Sequence, residues 1–253
     1  MLLSIKCTPL IGTGAECSTL ILTRKRSRAK QDLSQGNRPS SNDMVAQSPV
    51  LVGIAGGSCA GKTWLAQRLQ KILGENACHI SLDDFYHDRS RLSPRQRTLI
   101  NFDHPRAIDW ERVEKVLQRV ASGNAARVPR YDFSTHGRMA TEPVLSPKSV
   151  VVMDGLWLFR RASIRTLFDL KIFIRSSRQW CEEKRLERDV AQRGRTADQV
   201  RAQLEKFTLP MFERFVAPQE RWADVVLQSP VSEKAVREIS EKINFFKESS
   251  VGI

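Results

Sequence analysis

Five short apolar runs rich in β-branched residues punctuate the chain from Pro49 onward, and stretches of helical period separate them. Val50-Leu51-Val52-Gly53-Ile54-Ala55 has no polar alternation, which predicts a strand covered on both faces. Cys78-His79-Ile80-Ser81-Leu82, Ser149-Val150-Val151-Val152-Met153 and Leu170-Lys171-Ile172-Phe173-Ile174 predict three more strands, and Val225-Val226-Leu227 a short fifth. After the first strand Trp64, Leu65, Leu69, Ile72 and Leu73 recur at helical spacing as far as Gly74, a C-cap. Val113, Val116, Leu117 and Val120 share one helix face, a long charged helical region covers 177–217, and 231–246 reads as an amphipathic helix. Residues 127–131 and 139–145 look like short strands around a turn. Strands alternating with helices predict an α/β three-layer sandwich on a parallel sheet, carrying a small β-hairpin flap near 127–145.

Residues 1–47 break this pattern. No period persists there; a basic cluster, Arg24-Lys25-Arg26-Ser27-Arg28, gives way to a Ser/Asn/Gln/Pro tract. A disordered extension, a targeting leader poor in acids and translation starting at Met44 all fit, the last being preferred. Residues 48–253 form one domain by this reading. With 41% hydrophobic and 27% charged residues, the chain fits a globular protein, and no apolar run reaches the length of a membrane span. Its net charge of +13 suits either nucleic acid or arginines gathered around a polyphosphate. Cys7, Cys17, Cys59, Cys78 and Cys181 form no C-x-x-C pair, so neither a disulfide framework nor a zinc site is expected, and a cytoplasmic location follows.

Candidate chemistry begins where the first strand ends. Gly56-Gly57-Ser58-Cys59-Ala60-Gly61-Lys62-Thr63 fits G-x-x-x-x-G-K-[ST], between a strand and a helix as a phosphate loop requires. Its N–H groups and the helix's positive end would bind phosphates. Lys62 would reach the β- and γ-phosphates, and Thr63 would coordinate Mg²⁺. Asp83-Asp84 follows the second strand, where such sheets bind ligands and where transfer to a hydroxyl needs a carboxylate. Asp154 ends an apolar strand, as expected of a carboxylate that helps hold Mg²⁺. Asn101-Phe102-Asp103-His104-Pro105 and the run from Pro129 to Arg138 combine aromatic rings with His and Asp. Rings of that kind stack on a planar base. Arg185 and Arg188 share a helix face, with Arg193-Gly194-Arg195 at its end; such arginines neutralise charge developing on phosphates.

These elements, in this order, resemble the uridine kinase family within the phosphoribulokinase/uridine kinase group. The resemblance covers roughly Pro49 to Pro230. It rests on the phosphate loop, Asp83-x-Phe85-Tyr86, Asn101-Phe102-Asp103-His104-Pro105, Tyr131-Asp132-Phe133-x-x-His136-x-Arg138 and Arg188-Asp189 with Arg193-Gly194-Arg195. It also rests on the later segment with Pro210-Met211, Phe215-Val216-x-Pro218 and Ala223-Asp224. The resemblance implies ATP-dependent, Mg²⁺-assisted phosphorylation of the 5′-hydroxyl of uridine or cytidine, with GTP as the alternative donor. It makes Asp83 the base, with Lys62 and Arg188 as its catalytic companions. The loop residues 56–63, Trp64, Arg188 and Arg193 would hold the nucleotide. Tyr86 and Asp103 would contact the nucleoside, Asp103 at the ribose hydroxyls; Tyr131, Phe133 and His136 would hold the pyrimidine, with Arg138, Arg185 and Arg195 beside it. Arginines near 178–197 would form a mobile helical lid. Relatives also imply a homo-oligomer, a tetramer; no membrane or nucleic-acid partner is implied.

Five positions depart from that family's habit. Asp154-Gly155 replaces Glu-Gly, one methylene shorter, so that a bridging water is expected at the metal. Asp84 replaces a small Ser and adds charge beside Asp83, so one of the two should have a raised pKa if both are buried. Trp64, Arg106 and Trp157 are the others. Two alternatives stay open: a kinase of another small hydroxyl compound (a different riboside, a sugar phosphate or pantothenate), and a nucleotide-binding regulator without turnover that docks on RNA.

Overall fold

The computed structural model describes residues 48–97 and 99–249; the readings made for residues 1–47 lie outside that span. The order of elements is β1 (Val50–Gly56), α1 (Lys62–Leu73), β2 (Ala77–Ser81), α2 (Pro94–Arg97), α3 (Trp110–Ala121), four two-residue strands, β7 (Val150–Gly155), α4 (Ala162–Arg165) and β8 (Leu170–Arg175). There follow α5 (Arg178–Arg193), α6 (Ala197–Gln203), α7 (Leu209–Met211), β9 (Val225–Gln228) and α8 (Glu233–Ser249). The small strands are β3 (Ala126–Arg127), β4 (Tyr131–Asp132), β5 (Gly137–Arg138) and β6 (Val144–Leu145).

The five long strands make one parallel sheet in the order β2-β7-β1-β8-β9. Both faces are covered, as the unbroken apolar run of β1 predicts. Val50, Val52 and Ile54 pack toward Leu65, Leu69, Val236, Ile239 and Ile243 of α1 and α8. Leu51 and Ala55 face the other layer, with Val113 and Leu117 of α3 and the buried Trp157, Phe159 and Phe168. Each such side chain, fully buried, contributes about 1.5–3 kcal/mol. Trp157, one of the departures from the family's habit, is fully buried in this layer.

The register aligns the carboxyl ends. Ile54 and Ser81 both sit opposite Asp154, so β1, β2 and β7 deliver the phosphate loop, Asp83 and Asp154 to one crevice. Two glycines allow that closeness. A Cβ on Gly56, at φ 153, would lie 2.6 Å from the Ile174 carbonyl oxygen, and one on Gly155 would lie 2.4 Å from Leu82 Cβ.

The flap comes in two pieces. β3 pairs with β6 and β4 with β5, both antiparallel, stitched by Met139 N–H to Arg130 O at 2.9 Å and Val128 N–H to Pro143 O at 3.1 Å. The long charged helical region is also segmented. α5 stops at Gly194, left-handed at φ 62, and α6 restarts from Thr196, whose hydroxyl and Gln199 form a capping box. Residues 204–208 and 212–216 then widen into π-helical turns on either side of α7, which contains Pro210 and so lacks one helix donor. No helix among the described residues is long and apolar enough to cross a membrane.

Candidate active site

The phosphate end is built from backbone. Between β1 and α1, Cys59 (φ 62) and Gly61 (φ 95) take left-handed conformations. Such turns bring N–H groups to bear on one centre. α1 is 12 residues long and points its positive end there. The nearly buried Lys62 donates from Nζ to the Gly57 carbonyl at 2.6 Å, so its ammonium already lies across the loop.

Thr63 Oγ1 donates to Asp154 Oδ2 at 2.8 Å, and His79 Nε2 meets Oδ1 of the same carboxylate at 2.7 Å. Burial alone would raise the pKa of Asp154. The His79 hydrogen bond and charge, the Lys62 charge and the Thr63 hydroxyl outweigh it and hold the group below the ordinary carboxylate range. The hydroxyl and the ionised carboxylate are hard oxygen donors side by side. Among the described residues, no three His, Cys, Asp or Glu side chains gather to hold a metal unaided. Two protein oxygens suit Mg²⁺, which takes the rest of its shell from phosphates and water.

Asp83 and Asp84 sit on a 3-10 turn, Leu82–Phe85, capped by the Ser81 hydroxyl accepting from Asp83 N–H at 3.3 Å. They diverge from there. Asp83 lines the cleft of the phosphate loop, and its charge is felt by Arg188 and Tyr86. Asp84 turns to the flap, accepting from Tyr131 N–H at 3.2 Å and from Arg130 Nη1 at 3.0 Å. Burial raises its pKa, partly offset by those two partners, so the extra carboxylate is a tether for β4.

The aromatic residues converge. Tyr86 contacts Phe102, Tyr131 and Phe133 at ring separations of 6.3, 5.3 and 5.9 Å. Phe102 stacks on His136 at 4.7 Å, and Tyr131 meets Phe133 edge-on at 5.1 Å. Phe133 is 42% exposed and so offers a face. The buried Tyr131 hydroxyl has no hydrogen-bond partner among the described residues, and burial pushes its pKa up to about 12. Arg138 belongs to the frame: it donates to Asp109 Oδ2 at 2.8 Å and to the Tyr86 carbonyl at 3.1 Å. Trp64, 40% exposed, lies under the Arg68 guanidinium at 5.8 Å.

The arginines gather on Asp189, which is fully buried. Arg188 Nε lies 2.9 Å from Oδ1, while Arg195 Nη1 and Arg185 Nε lie 3.2 and 3.7 Å from Oδ2. Arg185 reaches on to Asp103 Oδ2 at 3.6 Å, and that oxygen also accepts from Thr208 Oγ1 at 3.1 Å. Arg195 also donates to Gln203. Arg193 ends α5; its side chain lies outside the described residues. Asp103 is thus tied to α5 through Arg185 and to the first π turn through Thr208.

A cleft of about 580 Å³ joins the loop, Asp83, Asp154 and Arg188 to Trp180 and Lys184 of α5. Its contents include residues the sequence reading did not single out for the site. Trp180 carries Lys184 Nζ 5.2 Å from its ring centre, and beside Asp154 the sequence offered His79 only as an ionisable residue in the middle of a strand. Gln203 and Thr208 carried no such signal, because they reach the site only through the break at Gly194 and the first π turn.

The Phosphoribulokinase / Uridine kinase family profile matches residues 51–236. A uridine kinase of Brevibacillus brevis is 36% identical over 181 residues, covering 71% of this chain and 85% of its own. One from Halobacterium salinarum is 34% identical over 192 residues, covering 76% and 85%. Among solved structures, phosphoribulokinase from Rhodobacter spheroides superposes with a TM-score of 0.56 at 18% identity, covering 72% of this chain and 70% of its own. That last likeness speaks for the fold.

Proposed function

This chain belongs to the phosphoribulokinase/uridine kinase family, and from that membership we propose that it phosphorylates the 5′-hydroxyl of a pyrimidine nucleoside, uridine or cytidine, using ATP and Mg²⁺. One observation carries the acceptor assignment: the ring cluster of Tyr86, Phe102, Tyr131, Phe133 and His136 is flanked by two carboxylates. The Tyr86 phenol, raised well above its usual pKa by burial, feels the charges of both Asp83 and Asp103. A base against the rings leaves a ribose between those acids, one for the reacting hydroxyl and one for its neighbours.

The residues divide the work. Bound ATP with its metal supplies the transferable phosphoryl group and screens its charge. The 56–63 loop and Lys62 cradle the phosphates, and Thr63 and Asp154 would hold the metal, the shorter Asp154 through a bridging water. Asp83 orients the acceptor hydroxyl and takes its proton. Asp103 accepts from the ribose hydroxyls, and the Tyr131 hydroxyl and His136 address the base edge. Arg185 and Arg188 of α5 and Arg195 just beyond it close over the site, excluding water and neutralising charge as the phosphoryl group moves.

The test is phosphoryl transfer by the full chain from Mg-ATP to a panel of uridine, cytidine, adenosine, nicotinamide riboside, pantothenate and ribulose 5-phosphate. Turnover concentrated on uridine or cytidine is the expected result. Turnover concentrated on an acceptor without a base overturns the nucleoside assignment and leaves the phosphate end as described.

A further inference from the structure

β2 is a strand with one misfit. Cys78 and Ile80 face one core layer, while the polar His79 sits mid-strand on the opposite face, which it shares with the buried Ala77 and with Ser81. Pairing of β2 with β7 sets His79 opposite Val152 and Ser81 opposite Asp154. The imidazole therefore lies one pleat behind Asp154 on the same face of the sheet, and it leans forward to reach Oδ1 at 2.7 Å. The two side chains are 14% and 4% exposed. Asp154 is thus gripped at both oxygens, by His79 on one side and by the Thr63 hydroxyl, 2.8 Å away, on the other.

We propose that His79 is a positioning residue for the metal end of the phosphate site: its Nε2–H holds Oδ1 of Asp154 so that Oδ2 and Thr63 Oγ1 present together to the cation. The inference rests on the kinase reading of this site. Asp154 accepts at both oxygens, so the ring must donate from Nε2; an imidazole lone pair turned on the carboxylate would repel it. The Thr63 proton is committed to Asp154, which leaves the lone pairs of Oγ1 for a metal. An aspartate has one torsion fewer than a glutamate but also a shorter reach. Its orientation therefore decides whether an oxygen addresses the metal, and a second hydrogen bond fixes that orientation. Outer partners of this kind typically govern about 10–100-fold in metal affinity. The Lys62 charge faces the same carboxylate, and the His79 ring is also felt by Asp84.

The experiment measures binding of ADP to the full chain by calorimetry, once in EDTA and once with Mn²⁺, with electron paramagnetic resonance counting bound Mn²⁺. The variants are His79→Leu, which removes the donor, and His79→Gln, which keeps an N–H at similar reach. For His79→Leu the Mn²⁺-dependent gain in ADP affinity should fall about 10–100-fold, with metal-free ADP binding within about twofold of the parent. His79→Gln should recover most of the gain. If His79→Leu does not fold, His79→Asn, polar but too short to reach Asp154, takes its place with the same expectation. An unchanged Mn²⁺-dependent gain, equal losses with and without metal, or indistinguishable Gln and Leu variants each overturn the role of His79. A parent protein that gains nothing from Mn²⁺ overturns the metal-nucleotide reading and this inference with it.

Discussion

The two halves of the crevice are built by different means. At the phosphate end, the geometry comes from backbone: a parallel sheet whose register puts Ile54 and Ser81 opposite Asp154, and a loop with left-handed turns at Cys59 and Gly61. At the end that carries the ring cluster and the arginines, two-residue strands, a 3-10 turn and π-widened turns hold the residues, so side-chain contacts do the positioning. Asp84 ties down the flap, Asp109 holds Arg138, and Asp189 gathers three arginines. A frame made of ladder hydrogen bonds tolerates sequence change at its surface. One made of single charged contacts changes shape when one partner changes.

The strongest way to sharpen that contrast is to remove chemistry without moving either half. Asp83→Asn keeps the size of the side chain and deletes its capacity to take a proton. The expected loss in kcat is on the order of 10²–10⁴-fold, with ADP affinity and thermal stability near those of the parent. Single-turnover phosphoryl transfer measures it, and a kcat within about threefold of the parent would remove Asp83 from the catalytic role.

Next in size is the arginine hub at Asp189. Asp189 is fully buried, and truncation to Ala strands Arg185, which is nearly as buried, along with Arg188 and Arg195. Breaking a buried pair costs about 3–5 kcal/mol. Arg188 and Arg195 are about a third exposed, at 30% and 32% of their side chains, so solvent screening brings the expectation to about 3 kcal/mol. Urea unfolding reads it, and a loss below about 1 kcal/mol would mean that the arginines find other partners. The phosphate end should keep its affinity for ADP under conditions where the variant is folded.

How much of this was legible in the sequence follows the same division. The phosphate loop, Lys62, Thr63, Asp83 and Asp154 could be read because each sits at a strand end, and strand ends in a parallel sheet are collinear with the site. The five long strands announced themselves as unbroken apolar, β-branched runs and the helices α1, α3 and α8 by their period. Gln203 and Thr208 did not, because their approach depends on where α5 breaks and how the chain widens around Pro210, neither of which leaves an apolar period. Arg138 and Asp84 were legible as residue types near the site. Their partners, Asp109 at 2.8 Å and the Tyr131 N–H at 3.2 Å, are set by how the flap folds back, which spacing along the chain does not encode.

Phe133 gives a smaller, more selective effect. It is the most exposed ring of the cluster and meets Tyr131 and Tyr86 edge-on at 5.1 and 5.9 Å. Phe133→Ala should raise KM for uridine or cytidine about tenfold, the scale of one aromatic contact and its buried area, while kcat falls less than threefold. Equal falls in kcat and kcat/KM would instead place Phe133 among the groups that act only in the transition state.

The smallest effect probes the tie between flap and α3. Burial would raise the pKa of Asp109, but the hydrogen bond from Arg138, the Arg112 N–H and the Arg138 charge outweigh it and leave the group below its ordinary value. A depressed folded-state pKa stabilises the protein above the unfolded-state value, about 3.9 for Asp, and that stability is lost as pH falls through the folded-state value. Arg138 and Asp109 keep 19% and 23% of their side-chain exposure, so solvent screens the pair and its worth is of order 1 kcal/mol or less. Arg138→Gln should therefore be less stable than the parent by about that amount at pH 7, and the gap should close below about pH 4 as Asp109 takes up its proton. The phosphate end should show no such dependence on this substitution: ADP affinity at pH 7 stays that of the parent. A gap that persists unchanged into acid would mean that Arg138 stabilises the flap through the Tyr86 carbonyl, 3.1 Å away, rather than through the charge of Asp109.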